Sequence, residues 1–410
     1  MDKDQIIIVG GGIGGLSAAL MLGHTELRVR VLERAEEFTE IGAGLQLAPN
    51  ATRLLGQYGL LEDVLDTAVL PRRLVAMNAV TSQRLTTLDL ERVRSRYGAP
   101  YLVTHRHDLL EVLLAHCRKQ PGLTLEPAKE VTMIQDLGDQ VAVTCQDGST
   151  YHCELLIGAD GLDSMVRPLV IDDQLQPTGY VAYRGAVPID TVDRRAGLDE
   201  VVAWMGPGLH LVQYPLRRGA LYNQVAVFRS EAYRQGRQDW GTPEELDRAF
   251  SVACEAVRVA LPSLGRDRHW PMQDRLPAPR WSTGRVTLLG DAAHPMLQYL
   301  AQGACQAIQD AAALAKELPR LPRAGAWSSE GVRAALGGYE GRRLAQAGRV
   351  QRTARTWGEI WHVDGLAMAL RDEAFRLRPE DDFSRIDWLY ADGPALTHPH
   401  QPSAEAHRNG

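Results

Sequence analysis

The chain has 410 residues, few cysteines and no basic excess. Its five cysteines, Cys117, Cys145, Cys153, Cys254 and Cys305, are odd in number, scattered, and form no C-x-x-C pair. That excludes a disulfide framework and a cysteine-built zinc site, so no metal is expected and a reducing, cytoplasmic setting is. Lys plus Arg total 45 against 51 Asp plus Glu, a net charge of −6. Nucleic-acid binders usually carry a basic surplus, so no nucleic-acid partner is expected. A good membrane span is also lacking. Ile6 to Leu22 is free of charge but holds five glycines and follows the acidic-leaning Met1-Asp2-Lys3-Asp4. It is too short and glycine-rich to span a bilayer, and it lacks the basic start of a signal peptide. What is present, 45% hydrophobic and 23% charged residues, is ordinary for a soluble globular chain. Its length suggests two or three domains.

Ile6-Ile7-Ile8-Val9 is a continuous apolar run, as in a strand buried on both faces of a parallel sheet. A glycine turn, a helix through Leu16–Leu22 and a second strand, Val29–Glu33, complete a βαβ unit. A helix is expected from about Asn50, as cap, to Tyr58, with Gly59 as stop. Two short strands are expected within Arg72–Leu90, then a helix capped by Thr104. Turns at Gly138-Asp139 and Asp147-Gly148 imply a three-stranded meander leading into Leu155–Gly161. Period-two patterns over Tyr180–Val187, Val201–Met205, Leu209–Pro215 and Leu221–Phe228 predict a separate antiparallel sheet. A helix follows over about Pro243–Ala260, and Arg285–Gly290 returns to the buried parallel type. The fold class is α/β: a Rossmann-like nucleotide-binding domain with an inserted antiparallel-sheet domain and a helical C-terminal region. The expected boundaries are 1–71, 101–178 and 280–320 for the first, 72–100 and 179–279 for the second, and 321–395 for the third. A flexible tail is expected over 396–410.

Gly10-Gly11-Gly12-Ile13-Gly14-Gly15 fits G-x-G-x-x-G. The first glycine allows the tight turn, the second lets backbone approach a pyrophosphate, and the third lets helix and strand pack closely. The helix N-terminus offers free N–H groups to phosphates. Glu33 ends the second strand 18 residues after Gly15, where its carboxylate can accept from ribose hydroxyls. The combination specifies a dinucleotide and leaves NAD and FAD both open. Two later segments bear on the choice. In Gly290-Asp291-Ala292-Ala293-His294-Pro295 a strand-end aspartate can hold a ribitol hydroxyl. Gln302-Gly303-Ala304 opens a helix whose N-terminus can stabilise negative charge on a reduced flavin. Gly158-Ala159-Asp160-Gly161 places another acid between glycines.

These motifs, in this order, resemble the class A flavoprotein monooxygenases over nearly the whole chain, to about Ala391. The resemblance implies bound FAD and transient NADH or NADPH, with NADH favoured. It implies ring hydroxylation through a flavin hydroperoxide, a small aromatic substrate with O2, and a homodimer. It assigns Gly10, Gly12, Gly14, Gly15, Glu33, Arg34, Arg106, Gly290, Asp291, Pro295, Gln302, Gly303 and Ala304 to FAD. Asp160 and Gly161 match a motif said to serve FAD and the nicotinamide nucleotide together. His294 is expected to be structural, placing the Pro295 backbone beside the flavin.

Hydroxylating a phenol is easier on its phenolate, so a general base is expected beside the phenol oxygen, and histidine suits the task. In Leu209-His210-Leu211-Val212-Gln213-Tyr214-Pro215, His210, Val212 and Tyr214 share one strand face. Gln298 can both donate and accept a hydrogen bond. This set, with Glu359–Gly365, resembles the 3-hydroxybenzoate 6-hydroxylase subgroup, whose product is gentisate. The resemblance makes His210 the base, Gln298 its helper and Tyr214 a substrate contact. Salicylate or an aminohydroxybenzoate is the alternative ring, and a flavin oxidase or epoxidase the alternative activity. Arg184 is a candidate carboxylate anchor that nothing in the sequence aims at the pocket.

Overall fold

The computed structural model describes residues 4–39, 44–192, 197–322 and 326–391. The expected tail, the end of the expected helical region and the first three residues lie outside the described residues. An eight-stranded sheet carries the nucleotide-binding part. Asp4–Val9 runs parallel to Val29–Leu32 on one side and to Thr150–Gly158 on the other. Leu123–Glu126 and Val286–Leu288 extend the parallel set outward. The meander Val131–Asp136, Val141–Cys145 and Thr150–Gly158 joins antiparallel, with its turns at Gly138 and Gly148, both at positive φ. Ile6, Ile7 and Ile8 are fully buried, as a central parallel strand requires.

A second sheet of seven strands contains Arg73–Asn78, Arg84–Asp89, Val201–Gly206, Leu209–Leu216, Leu221–Arg229, Gln176–Pro188 and Trp270–Asp274. It is antiparallel except at one seam, where Val201–Gly206 pairs parallel with Arg73–Asn78. The alternation of side chains gives this sheet two different faces. Val181, Tyr183, Val202, Trp204, Leu209, Leu211, Ala226 and Phe228 pack with Leu246, Phe250 and Val257 in one core. Arg184, Ala203, Met205, His210, Val212, Tyr214, Asn223 and Val225 point the other way, into a cavity. Within the packed side Trp204 Nε1 donates to Gln213 Oε1 at 2.9 Å, and Gln213 Nε2 donates to Gln224 Oε1 at 2.8 Å. That chain satisfies two amides that would otherwise be costly to bury.

Three helix boundaries differ from expectation. The helix Pro49–Gln57 takes Ala48 as its cap and Pro49 as its first residue. Asn50 sits inside the first turn, where Nδ2 donates to Gln302 Oε1 at 2.9 Å and Gln309 Oε1 at 3.1 Å. Gly59 does stop that helix, at φ +73°. Thr104 belongs to the strand Leu102–His105; the cap of Arg106–Cys117 is His105, whose Nδ1 accepts from His107 N–H. The helix expected over 243–260 breaks into Pro243–Phe250 and Glu255–Arg258. Between them Cys254 N–H donates to Ala79 O at 2.7 Å instead of to a helical carbonyl. The remainder is helical: Gly303–Glu317, the 33-residue Ser329–Trp361, Gly365–Arg376 and Ser384–Tyr390.

Candidate active site

The glycine turn follows Val9 directly. Gly10 takes φ +104°, and a Cβ there would meet Ala159 O at 2.5 Å. A Cβ on Gly15 would fall 1.9 Å from Gly10 O, so helix and strand approach to backbone distance. Gly14 serves packing: its Cβ would meet Leu289 at 2.8 Å. Gly12 is the N-cap of Ile13–Gly23 and supplies no side chain to it, which leaves the first N–H groups of that helix for a ligand. Glu33 stands beside the turn, its carboxylate accepting from Gly11 N–H at 2.7 Å and Ala35 N–H at 2.9 Å. Arg34 is exposed next to it. Gly15→Ala is expected to give a folded but colourless protein, checked by the flavin absorbance of the purified variant.

Asp160 turns its carboxylate into its own loop. It accepts from Ser164 Oγ at 2.5 Å, Met165 N–H at 2.8 Å and Val166 N–H at 3.2 Å. Burial raises its pKa despite those bonds. Gly161 takes φ +79° in the same loop. This geometry shapes the loop beside Gly10 and gives the Asp160 side chain a positioning task.

A cavity of about 470 Å³ lies between the two sheets and the C-terminal helices. Arg106, Asp291, Gln298, Gln302, Gly303 and Ala304 are among the residues that line it. Gly290, at φ +61°, and Asp291 start a short turn after Val286–Leu288. The Asp291 carboxylate is exposed to the cavity. Ala301 adopts the left-handed conformation at φ +52°, a strained choice for alanine. It delivers Gln302 to the N-cap of Gly303–Glu317, a helix end with no side-chain cap.

A buried network outside the expected set holds this loop. Asp310, fully buried, receives His294 Nε2 at 2.5 Å, Arg343 Nε at 2.7 Å and Gly290 N–H at 3.0 Å. Burial pushes the Asp310 carboxyl up, but His294 and Arg343 outweigh it and hold it below its usual range. Arg167 donates to Ala292 O at 2.6 Å and Ala293 O at 2.8 Å, and Gln351 Nε2 donates to Pro295 O at 3.1 Å. His294 is bonded into this network through its Nε2. The signal for Asp310 was a lone acid in the alanine-rich run Ala307–Ala313; Arg167 carried no comparable signal.

His210, Val212 and Tyr214 line one wall of the cavity, as their shared strand face requires. His210 is 1% exposed, and its Nδ1 lies 2.8 Å from His362 Nε2. Tyr299 and Trp361 flank its ring at centroid distances of 5.3 and 5.2 Å. Burial, then the neighbouring His362, drives the His210 pKa well below the usual imidazole range. Tyr214 packs over Gly44, where a Cβ would meet its hydroxyl at 2.7 Å. Gln298 Oε1 accepts from Arg184 Nη2 at 3.3 Å, so its partner in the structure is Arg184. Arg184 forms no ion pair among the described residues. Asn223, beside Tyr214 in the sheet register, also faces the cavity, and its buried Nδ2 has no hydrogen-bond partner. His362, Asn223 and Tyr299 were not among the expected site residues.

The burial of His362 has a consequence for stability. Burial, with Arg229 and Arg371 nearby, lowers the His362 pKa from 6.5 to about 3. As pH falls, the unfolded chain takes up the proton first, so the stabilisation present above 6.5 is lost toward about 3. His362→Phe is expected to lose less melting temperature than the wild type over that window, as read by thermal scans.

The chain matches an FAD binding domain family over residues 3–354. It is 39% identical to 3-hydroxybenzoate 6-hydroxylase 1 of Aquipseudomonas alcaligenes, across 94% of this chain and 97% of the relative. It is 36% identical to 3-amino-4-hydroxybenzoate 2-monooxygenase of Streptomyces cremeus, across 95% and 96%. Klebsiella pneumoniae HpxO, solved with FAD and uric acid, has the same fold, with a TM-score of 0.78 at 24% identity over 93% of this chain and 94% of that one. A salicylate hydroxylase substrate complex gives 0.75 at 24% identity over 95% of each. The chain belongs to the FAD-binding class A flavoprotein aromatic hydroxylases. Its structure fits FAD: the glycine cradle excludes any side chain, two helix N-termini lack side-chain caps, and buried Gln302 Nε2 and Asn50 Oδ1 have no partner. Among the described residues no helix is long and apolar enough to cross a membrane, and no acid, cysteine or histidine group could hold a metal.

Proposed function

We propose that this chain converts 3-hydroxybenzoate to gentisate, adding the new hydroxyl at ring position 6 with FAD, NADH and O2. The observation that carries the reading is His210, buried on an apolar cavity wall with only Nδ1 engaged, in line with Tyr214. The 39% identity to a 3-hydroxybenzoate 6-hydroxylase supports the ring and the position. FAD, when bound, supplies the redox and oxygen-transfer chemistry. Glu33, Asp291, Arg106 and the backbone of 10–15, 290–295 and 302–304 would hold it. The chain's own part is to bind the ring, exclude water and take a proton. His210 Nε2 accepts the phenol proton, which leaves the ring electron-rich. Gln298 holds the phenol oxygen, and Tyr214 orients the ring. Arg184, with no carboxylate partner and its guanidinium in the cavity wall, supports an anionic substrate and would anchor the benzoate carboxylate.

Aerobic NADH oxidation with a panel of hydroxybenzoates, products separated by chromatography, tests the reading. Gentisate from 3-hydroxybenzoate is expected. Hydroxylation of salicylate or 3-amino-4-hydroxybenzoate in preference would overturn the choice of ring. A cytoplasmic setting is supported by the five free thiols. A homodimer is supported by the exposed Leu366 and Leu370 of Gly365–Arg376 and Leu377 just past its end; light scattering of the holoenzyme should show two chains.

A further inference from the structure

A buried histidine makes a poor proton sink. His210 is 1% exposed and surrounded by Tyr299, Trp361 and His362. A phenol ordinarily ionises near pH ~10, and an imidazolium in this wall would lack solvation. His210 has no carboxylate beside it to steady a positive charge among the described residues. What it has is a second imidazole, in line at 2.8 Å with rings 21° from parallel.

We propose that His210 and His362 form a two-imidazole relay that carries the substrate's phenolic proton out of the cavity, so that neither ring stays cationic. The proposal rests on the reading of His210 as base. In the starting tautomer His210 Nδ1–H donates to the lone pair of His362 Nε2, which leaves His210 Nε2 free toward the substrate. The phenol O–H bond breaks and an N–H bond forms at His210 Nε2. The Nδ1 proton passes to His362 Nε2, and His362 Nδ1 releases its proton to water. The products are a phenolate, one proton in solution, and two neutral imidazoles with both tautomers reversed. His210 then donates Nε2–H to the phenolate oxygen.

The surroundings suit this arrangement. His362 follows the end of Ser329–Trp361 and is 8% exposed, nearer solvent than His210. Tyr180 stacks on it at 4.5 Å and 17°, holding its plane. Gly208 N–H donates to His362 O at 3.0 Å, which ties this segment to the turn before the His210 strand. The charges facing it are Arg229 from the strand Leu221–Arg229 and Arg371 from Gly365–Arg376, the latter paired with Asp372. Both disfavour a stable imidazolium and favour onward release. His362 is thus a positioning residue that acts through His210.

The test mixes oxidised holoenzyme with 3-hydroxybenzoate, without NADH, and follows phenolate absorbance and proton release with an indicator dye. The wild type should release about one proton per site. His210→Ala and His362→Phe should each slow phenolate formation at least about tenfold and raise the pH at which it occurs, while keeping FAD. If His362→Phe fails to retain FAD, His362→Gln, which can accept from Nδ1–H but cannot pass a proton on, should show the same loss. Loss in His210→Ala with wild-type behaviour in the His362 variants would overturn the relay and leave His210 as base. Wild-type behaviour in all variants would overturn both.

Discussion

His210→Ala is expected to keep its yellow colour and to lose about 10²–10⁴-fold in ring hydroxylation, the range that removing a general base typically costs. The colour should persist because His210 lies on the second sheet, whereas the FAD-binding turn and loop are held from the first sheet and from Asp310. NADH consumption should become uncoupled, with the reducing equivalents ending in peroxide. Measuring product against NADH consumed checks this. An unchanged ratio and an unchanged rate would remove His210 from the mechanism.

The second large effect concerns stability. Asp310→Ala is expected to destabilise the fold by about 3–5 kcal/mol, because it strands Arg343 in the interior without a counter-charge. Gly290 N–H and His294 would lose their acceptor at the same time. The loop carrying Asp291 and Pro295 would loosen, so FAD content should fall together with the denaturation midpoint. Asp310→Asn should lose less FAD, since the amide oxygen can still accept from Gly290 N–H. Both variants matching the wild type in denaturant titrations and flavin content would show that the network does not hold the loop.

Much of this architecture was legible in the chain because its signals are local. Ile6–Val9 and the glycine turn specify a buried strand and a close approach within ten residues. Alternation along Leu209–Pro215 places His210 and Tyr214 on one face before any tertiary information is used. What escaped depends on distant partners. Thr104 is a good cap by residue type, yet the register of Leu102–His105 with Gly44–Leu47 keeps it in a strand and gives the cap to His105. Asn50 reads as a cap, but Gln302 and Gln309, some 250 residues away, draw its side chain into the core. The break near Cys254 arises from one bond to Ala79 O. His362 lay in a segment noted only for resemblance; its meaning depends on a contact 152 residues back in the chain. Arg184 points into the cavity because Tyr183, its neighbour, takes the packed face, and that required knowing which face is which.

Everything above turns on oxygen insertion into a hydroxybenzoate ring. The most direct measurement is turnover of 3-hydroxybenzoate with NADH under labelled O2, with mass analysis of the product. Gentisate carrying one labelled oxygen, formed about one-for-one with NADH consumed, is the predicted result. Labelled peroxide with unchanged 3-hydroxybenzoate, or a labelled product that is not gentisate, would contradict it.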